Sequence, residues 1–184
     1  VGMLIAIIST LISEGSLNFE LIFAGVIIGT FIGAIFATRV EMTQMPQMVA
    51  IFNGFGGGAS ALVAAAEFMK SGSITTFTLT TIIFSVFIGT LTFTGSFIAF
   101  GKLQGFVTGK PIIFPGQKLF NAFLAGLLVY IGYQIIENPL IIPGQKIDIR
   151  FFYYLIAISA VLGIALTIPI GGADMPVVIS LLNS

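Results

Sequence analysis

Along the whole chain, apolar runs of helix length alternate with short polar turns. The runs cover Val1 to Ile12, Phe19 to Thr38, Met45 to Lys70, Ile74 to Phe100, Leu119 to Ile136 and Phe151 to Ile168, and a further run opens at Val177 and continues to Ser184. Hydrocarbon about 30 Å thick needs about 20 helical residues, so the second to sixth runs are long enough to cross it or nearly so. The first is too short to cross alone and reads as the tail of a helix. Between them lie Ser13 to Asn18, Arg39 to Glu41, Ser71 to Ser73, a lysine-, proline- and glycine-rich connection from Gly101 to Lys118, a proline-broken loop from Glu137 to Arg150, and Pro169 to Pro176. The pattern predicts an all-α membrane protein, a bundle of about six complete or near-complete transmembrane helices plus the start of a seventh. It forms one membrane domain over residues 1–184. The apolar runs at both ends and the absence of a starting Met predict a piece of a longer polypeptide.

Within these runs the small and polar positions are not scattered. The second carries Gly25, Gly29 and Gly33 at every fourth place, an overlapping GxxxG ridge of the kind that lets helix backbones approach closely. The third, MPQMVAIFNGFGGGASALVAAAEFMK, puts Asn53, Ser60 and Glu67 seven residues apart and hence on one side, with Gly56 and Gly57 one turn beyond Asn53. Met48, Ile51, Phe52, Phe55 and Leu62 make the other side bulky. The fourth aligns Ser85, Gly89, Thr92 and Ser96 into a second small, hydroxylated face. A carboxamide in a membrane helix avoids hydrocarbon by facing a partner helix or water. The third run is therefore expected to be a buried helix beside a polar path, with Gly56 and Gly57 serving helix packing.

Composition sharpens this picture. The chain is 57% hydrophobic and 8% charged, with mean hydropathy +1.14, far outside the range of soluble domains. Seven basic and seven acidic residues cancel, which leaves no basic field for nucleic acid. Cysteine and histidine are absent from these residues, so disulfides, thiolate or imidazole metal sites and histidine acid–base chemistry are excluded within them. No metal or catalytic residue is assigned. Basic residues divide four to three between the faces, with Arg39, Lys102, Lys110 and Lys118 on the more basic side. This weak bias puts the turns after the second, fourth and sixth runs in the cytoplasm. Tyr153 and Tyr154 open the sixth run where an aromatic belt would sit.

GFGGG at Gly54 to Gly58 superficially resembles a phosphate-binding loop, but it lies inside a helical run without a preceding strand or a following lysine. For Asn53 the plain alternative is an amide that only bonds a neighbouring helix. For Ser85, Thr92 and Ser96 it is a hydroxyl bonded to its own backbone. Asp174 has the simpler reading of a helix cap, and Arg39 with Glu41 that of a snorkelling pair.

Three stretches read as whole motifs: VEMTQMPQMVAIFNGFGG from Val40 to Gly57, GTLTFTGSFIAFGKLQG from Gly89 to Gly105, and IGGADMPVVISLLNS from Ile170 to Ser184. In that order they closely resemble the membrane domain of the proton-translocating NAD(P) transhydrogenase β subunit. The resemblance implies that an NADP(H)-binding domain follows after residue 184 and that a transhydrogenase α subunit carries the NAD(H) domain. It implies further that hydride passes between those soluble domains, and that this membrane part couples the transfer to proton movement in a dimeric assembly. No cofactor is implied for the present residues, and a bacterial inner membrane is the expected setting. By position, Asn53 falls where many family members have the membrane histidine thought to pass protons, Asn183 matches a family asparagine placed along the same path, and Ser96 matches the serine of TFTGS; a path lined by Asn53, Ser96 and Asn183 is the expectation. Asp174 matches the acidic residue of the turn that faces the nucleotide domain, and Glu41 an acid at the cytoplasmic mouth. Gln44 and Gln47 stand where the family has further acids. The rival from another class is a small-solute transporter or channel subunit, which would also set glycine-rich helices around a polar cavity.

Overall fold

The computed structural model describes residues 2–13, 19–70, 74–137 and 149–182, and every described element is helical. The helices are α1 (Gly2–Ser13), α2 (Phe19–Arg39), α3 (Met45–Met69), α4 (Thr76–Leu103), α5 (Gln117–Glu137), α6 (Ile149–Thr167) and α7 (Met175–Leu182), with short 3-10 turns at Met42–Gln44 and Gly172–Asp174. Five of them, α2 to α6, are long and apolar enough to cross a membrane. The expected all-α membrane bundle is what is found. The polar turns at residues 14–18 and 71–73, the loop at 138–148 and Asn183 lie outside the described residues.

The chain divides into two compact units, Val1–Met42 and Thr43–Ser184. In the first, α2 buries none of its residues, and Leu21, Phe23, Ile27 and Phe31 are exposed along it. A long apolar helix with no residue buried suits lipid or a partner.

In the second unit α4 is the central element, packing against α3, α5, α6 and α7. Thr75 caps its start, accepting a hydrogen bond from the Thr78 amide at 3.2 Å. The main core joins Phe68 of α3, Leu79, Ile82, Ile83 and Val86 of α4, Leu128 and Ile131 of α5, and Phe152, Leu155 and Leu162 of α6. Phe68 and Phe152 stack there with ring centroids 4.2 Å apart. A smaller cluster of Ala50, Ala99, Met175 and Ile179 seats α7 on α3 and α4.

Close backbone approach fixes the helix pairs. A methyl on Gly57 would lie 2.7 Å from the Gly89 carbonyl oxygen and 2.9 Å from Thr92 Cβ, so α3 and α4 meet almost backbone to backbone. On the other side of α4, Gly163 of α6 leaves no room for a Cβ beside Thr94 Oγ1 and the Leu91 carbonyl, and the Thr94 hydroxyl donates across to the Ala160 carbonyl at 3.0 Å. Small residues let helices approach where apolar surface alone cannot drive association in lipid.

One boundary differs from the sequence expectation. The connection expected from Gly101 begins only after Leu103, and Lys102, expected within it, is helical and 4% exposed. Gly105, at φ +80°, makes the left-handed turn that ends α4, with the Val107 amide bonded back to the Gly101 carbonyl at 2.9 Å.

Candidate functional site

Contacts between α3 and α4 run in opposite sequence directions: Gly54 faces Ser96 and Phe97, Gly58 faces Phe93, and Gly57 faces Gly89 and Thr92. The two helices are therefore antiparallel, and their glycines bring the polar faces together. Asn53, eight residues into α3, stands about 12 Å along that helix. Its Nδ2 donates to Ser96 Oγ at 2.9 Å across 43 residues of sequence. Ser96 is fully buried, and Asn53 is partly buried. Phe97, edge-on to Phe55 at 5.6 Å and tilted against Phe93 at 4.8 Å, lies against Gly54 next to it.

Asn53 also borders a groove of about 770 Å³ between α3 and α4. Ser60, Thr80, Thr81, Ser85 and Thr92 line it, among Phe52, Phe77, Phe84 and Ile88. A second hollow of about 450 Å³ shares Ser60, Thr81 and Ser85 with it and reaches Glu67. Asn53, Ser60 and Glu67, spaced by sevens in the sequence, thus line one continuous side. Glu67 pairs with Lys70 at 2.6 Å near the end of α3. Of the three hydroxyls for which a bond to the own backbone is the plain alternative, Ser96 accepts from Asn53 across the helix pair; it is Thr80 and Thr81 that donate to the carbonyls of Thr76 and Phe77 in their own helix.

At the end of α4 nearer Ser96, the 104–116 and 168–174 connections are stitched together. Ile112 N–H donates to the Ile168 carbonyl at 3.3 Å, and Gly172 N–H to the Gly109 carbonyl at 2.9 Å. Lys102 Nζ reaches the carbonyls of Ile168, Ile170 (2.7 Å) and Lys110 (3.5 Å). Buried Gln117 adds a bond from Nε2 to the Ala165 carbonyl at 3.3 Å. Asp174 closes the 3-10 turn of this cluster and is exposed. Neither Lys102 nor Gln117 stands out in the sequence as a site residue.

The other expected residues are placed as follows. Gly56, paired with Gly57 in the sequence reading as a packing residue, would put a methyl into open space and lines the groove instead. Gly25, Gly29 and Gly33 likewise have nothing within 4 Å of a Cβ. Glu41 is exposed and lies in the first unit. Gly54 to Gly58 sit inside an unbroken α3, where their amides serve the helix and are not free to cradle phosphate.

The family model described as "NAD(P) transhydrogenase beta subunit" matches residues 1–184, which is the whole chain. The chain belongs to that family. Two curated relatives named "NAD(P) transhydrogenase subunit beta", both from Rhodospirillum rubrum, are 40% identical to it over 192 aligned positions, covering 100% of this chain and 40% of each relative. The chain thus spans about two fifths of the length of the curated relatives it matches. With its five membrane-capable helices, this identifies a multi-pass membrane part of a transhydrogenase β subunit. The described residues do not fit a dinucleotide: their one glycine cluster is consumed by α3, and no strand precedes it.

Proposed function

We propose that this chain is the membrane domain of a proton-translocating NAD(P) transhydrogenase, coupling hydride transfer from NADH to NADP+ to proton movement across a bacterial inner membrane. Hydride transfer itself belongs to soluble domains outside these residues, one continuing the β subunit after residue 184 and binding NADP(H), the other on an α subunit binding NAD(H). The working enzyme is a dimer of such assemblies.

The observation that carries the reading is the Asn53–Ser96 hydrogen bond beside a groove that Asn53 lines together with Ser60, Ser85 and Thr92. An amide does not titrate near neutral pH, so Asn53 serves by orienting water or a neighbouring group and not by taking up the proton. Ser96 fixes the amide's direction, and Asn183, outside the described residues, is assigned to the same path. Asp174 and Glu41 are assigned to coupling toward the nucleotide domain. The exposed position of Asp174 in a turn held against the end of the Ser96 helix supports its part.

The test is Asn53→Leu in the complete enzyme reconstituted into lipid vesicles. Proton movement should be lost while the soluble domains still bind their nucleotides. Unchanged proton movement would refute the role of Asn53.

A further inference from the structure

A lysine ammonium has three N–H donors and no acceptor. Lys102 directs its own at three backbone carbonyls, those of Ile168, Ile170 and Lys110, and none of the three partners is a carboxylate. Burying an ammonium without a counter-ion is costly, and loose capping of a helix end by water or glycine is available to any α6. The side chain therefore does something that capping alone does not require. It starts on α4, six residues after Ser96, and ends on the segment between α6 and the Gly172–Asp174 turn. Its acceptors include the Ile168 carbonyl that also receives the Ile112 amide, and Gly172 of the turn is bonded to Gly109 on the same connection as Lys110.

We propose that Lys102 is a positioning residue that locks the Asp174 turn to the end of the helix carrying Ser96, so that a displacement of the turn is passed to the Asn53–Ser96 contact. The proposal rests on the function given above and deepens it. Only the protonated side chain supplies a donor to each carbonyl; a neutral amine would set its lone pair against an oxygen. The lock acts through Ser96 and touches neither proton nor nucleotide.

The experiment measures protons moved per hydride transferred by the complete two-subunit enzyme in lipid vesicles, together with amide exchange in peptides covering residues 109–112 and 168–174. Lys102→Met should lower the proton-to-hydride ratio at least about fivefold, the lower end of ordinary coupling energies. Exchange in both peptides should rise about tenfold while residues 79–86 of the core stay protected. Gln117→Met removes a buried side-chain bond at the same end of α6 without touching the turn, and should leave the ratio within about twofold. A merely structural lysine would reduce the amount of assembled enzyme and leave the ratio of the remainder intact. An unchanged ratio in assembled Lys102→Met, an equal loss in Gln117→Met, or a lost ratio without faster exchange overturns the proposal. Should Lys102→Met fail to assemble, Lys102→Gln, which keeps donors but not the charge, is judged by the same readouts. If the unsubstituted enzyme moves no protons, the functional reading fails first and the lock falls with it.

Discussion

Gly56 and Gly57 are neighbours on one helix, yet alanine at the two should behave differently. Each substitution gains the same helix propensity, about 1 kcal/mol at most. At Gly56 the new methyl meets nothing within 4 Å. At Gly57 it would sit 2.7 Å from the Gly89 oxygen, against 3.4 Å for ordinary contact, so α3 and α4 must part by about 0.7 Å. Backbone is on both sides, so no rotamer change relieves the clash. Overpacking of this kind costs about 1–3 kcal/mol. The same separation stretches the Asn53–Ser96 bond from 2.9 Å to about 3.6 Å, past useful hydrogen-bond length. That adds about 0.6 kcal/mol, the average for bonds between membrane helices. Gly57→Ala should therefore fall about 1.6–3.6 kcal/mol below Gly56→Ala in reversible unfolding in detergent micelles, and lose proton coupling in vesicles. Equal stability and equal coupling in the two variants would show that the α3–α4 approach is looser than the geometry states, and would remove the reason given for the Asn53–Ser96 alignment.

The remaining expectations concern other contacts. Gly163→Ala forces α6 away from Leu91 and Thr94 and should destabilise by about 1–3 kcal/mol, checked by the same unfolding measurement. Phe152→Ala empties a buried position stacked on Phe68 and should cost about 3 kcal/mol, with loss of assembled protein on mild heating. Asp174→Asn, at an exposed turn, should leave unfolding unchanged while altering the pH dependence and turnover of the complete enzyme; a match to the unsubstituted enzyme on both would reduce Asp174 to part of the turn. A Cβ at Gly29 has nothing within 4 Å among the described residues, and Gly29→Leu should cost assembled mass on native gels without a loss of subunit stability, which would assign the α2 ridge to a partner helix.

The sequence made the bundle legible because each run needs only to be apolar and long, and that is a property of consecutive residues. The α3–α4 site was legible for a related reason. Asn53, Ser60 and Glu67 repeat every seven residues and Gly89, Thr92 and Ser96 fall on one face, so helical geometry alone predicts which sides are polar. It does not predict which glycine of a cluster carries the contact. Gly56 and Gly57 differ by about 100° around α3, and only the docking of α4 separates groove from interface.

Lys102 escaped for a deeper reason. In the sequence it follows a glycine and precedes a connection rich in glycine, proline and lysine, all signs of a solvated turn. What reverses that reading is the set of acceptors: the carbonyls of Ile168, Ile170 and Lys110. Every residue has a carbonyl, so the partners of a side chain that binds backbone leave no trace in residue identity, whereas a carboxylate partner would have. The Asn53–Ser96 pair was open to inference because both ends are side chains. The lock on the Asp174 turn has only one such end, and its other end exists only once α6 has stopped beside α4 with its last carbonyls unpaired.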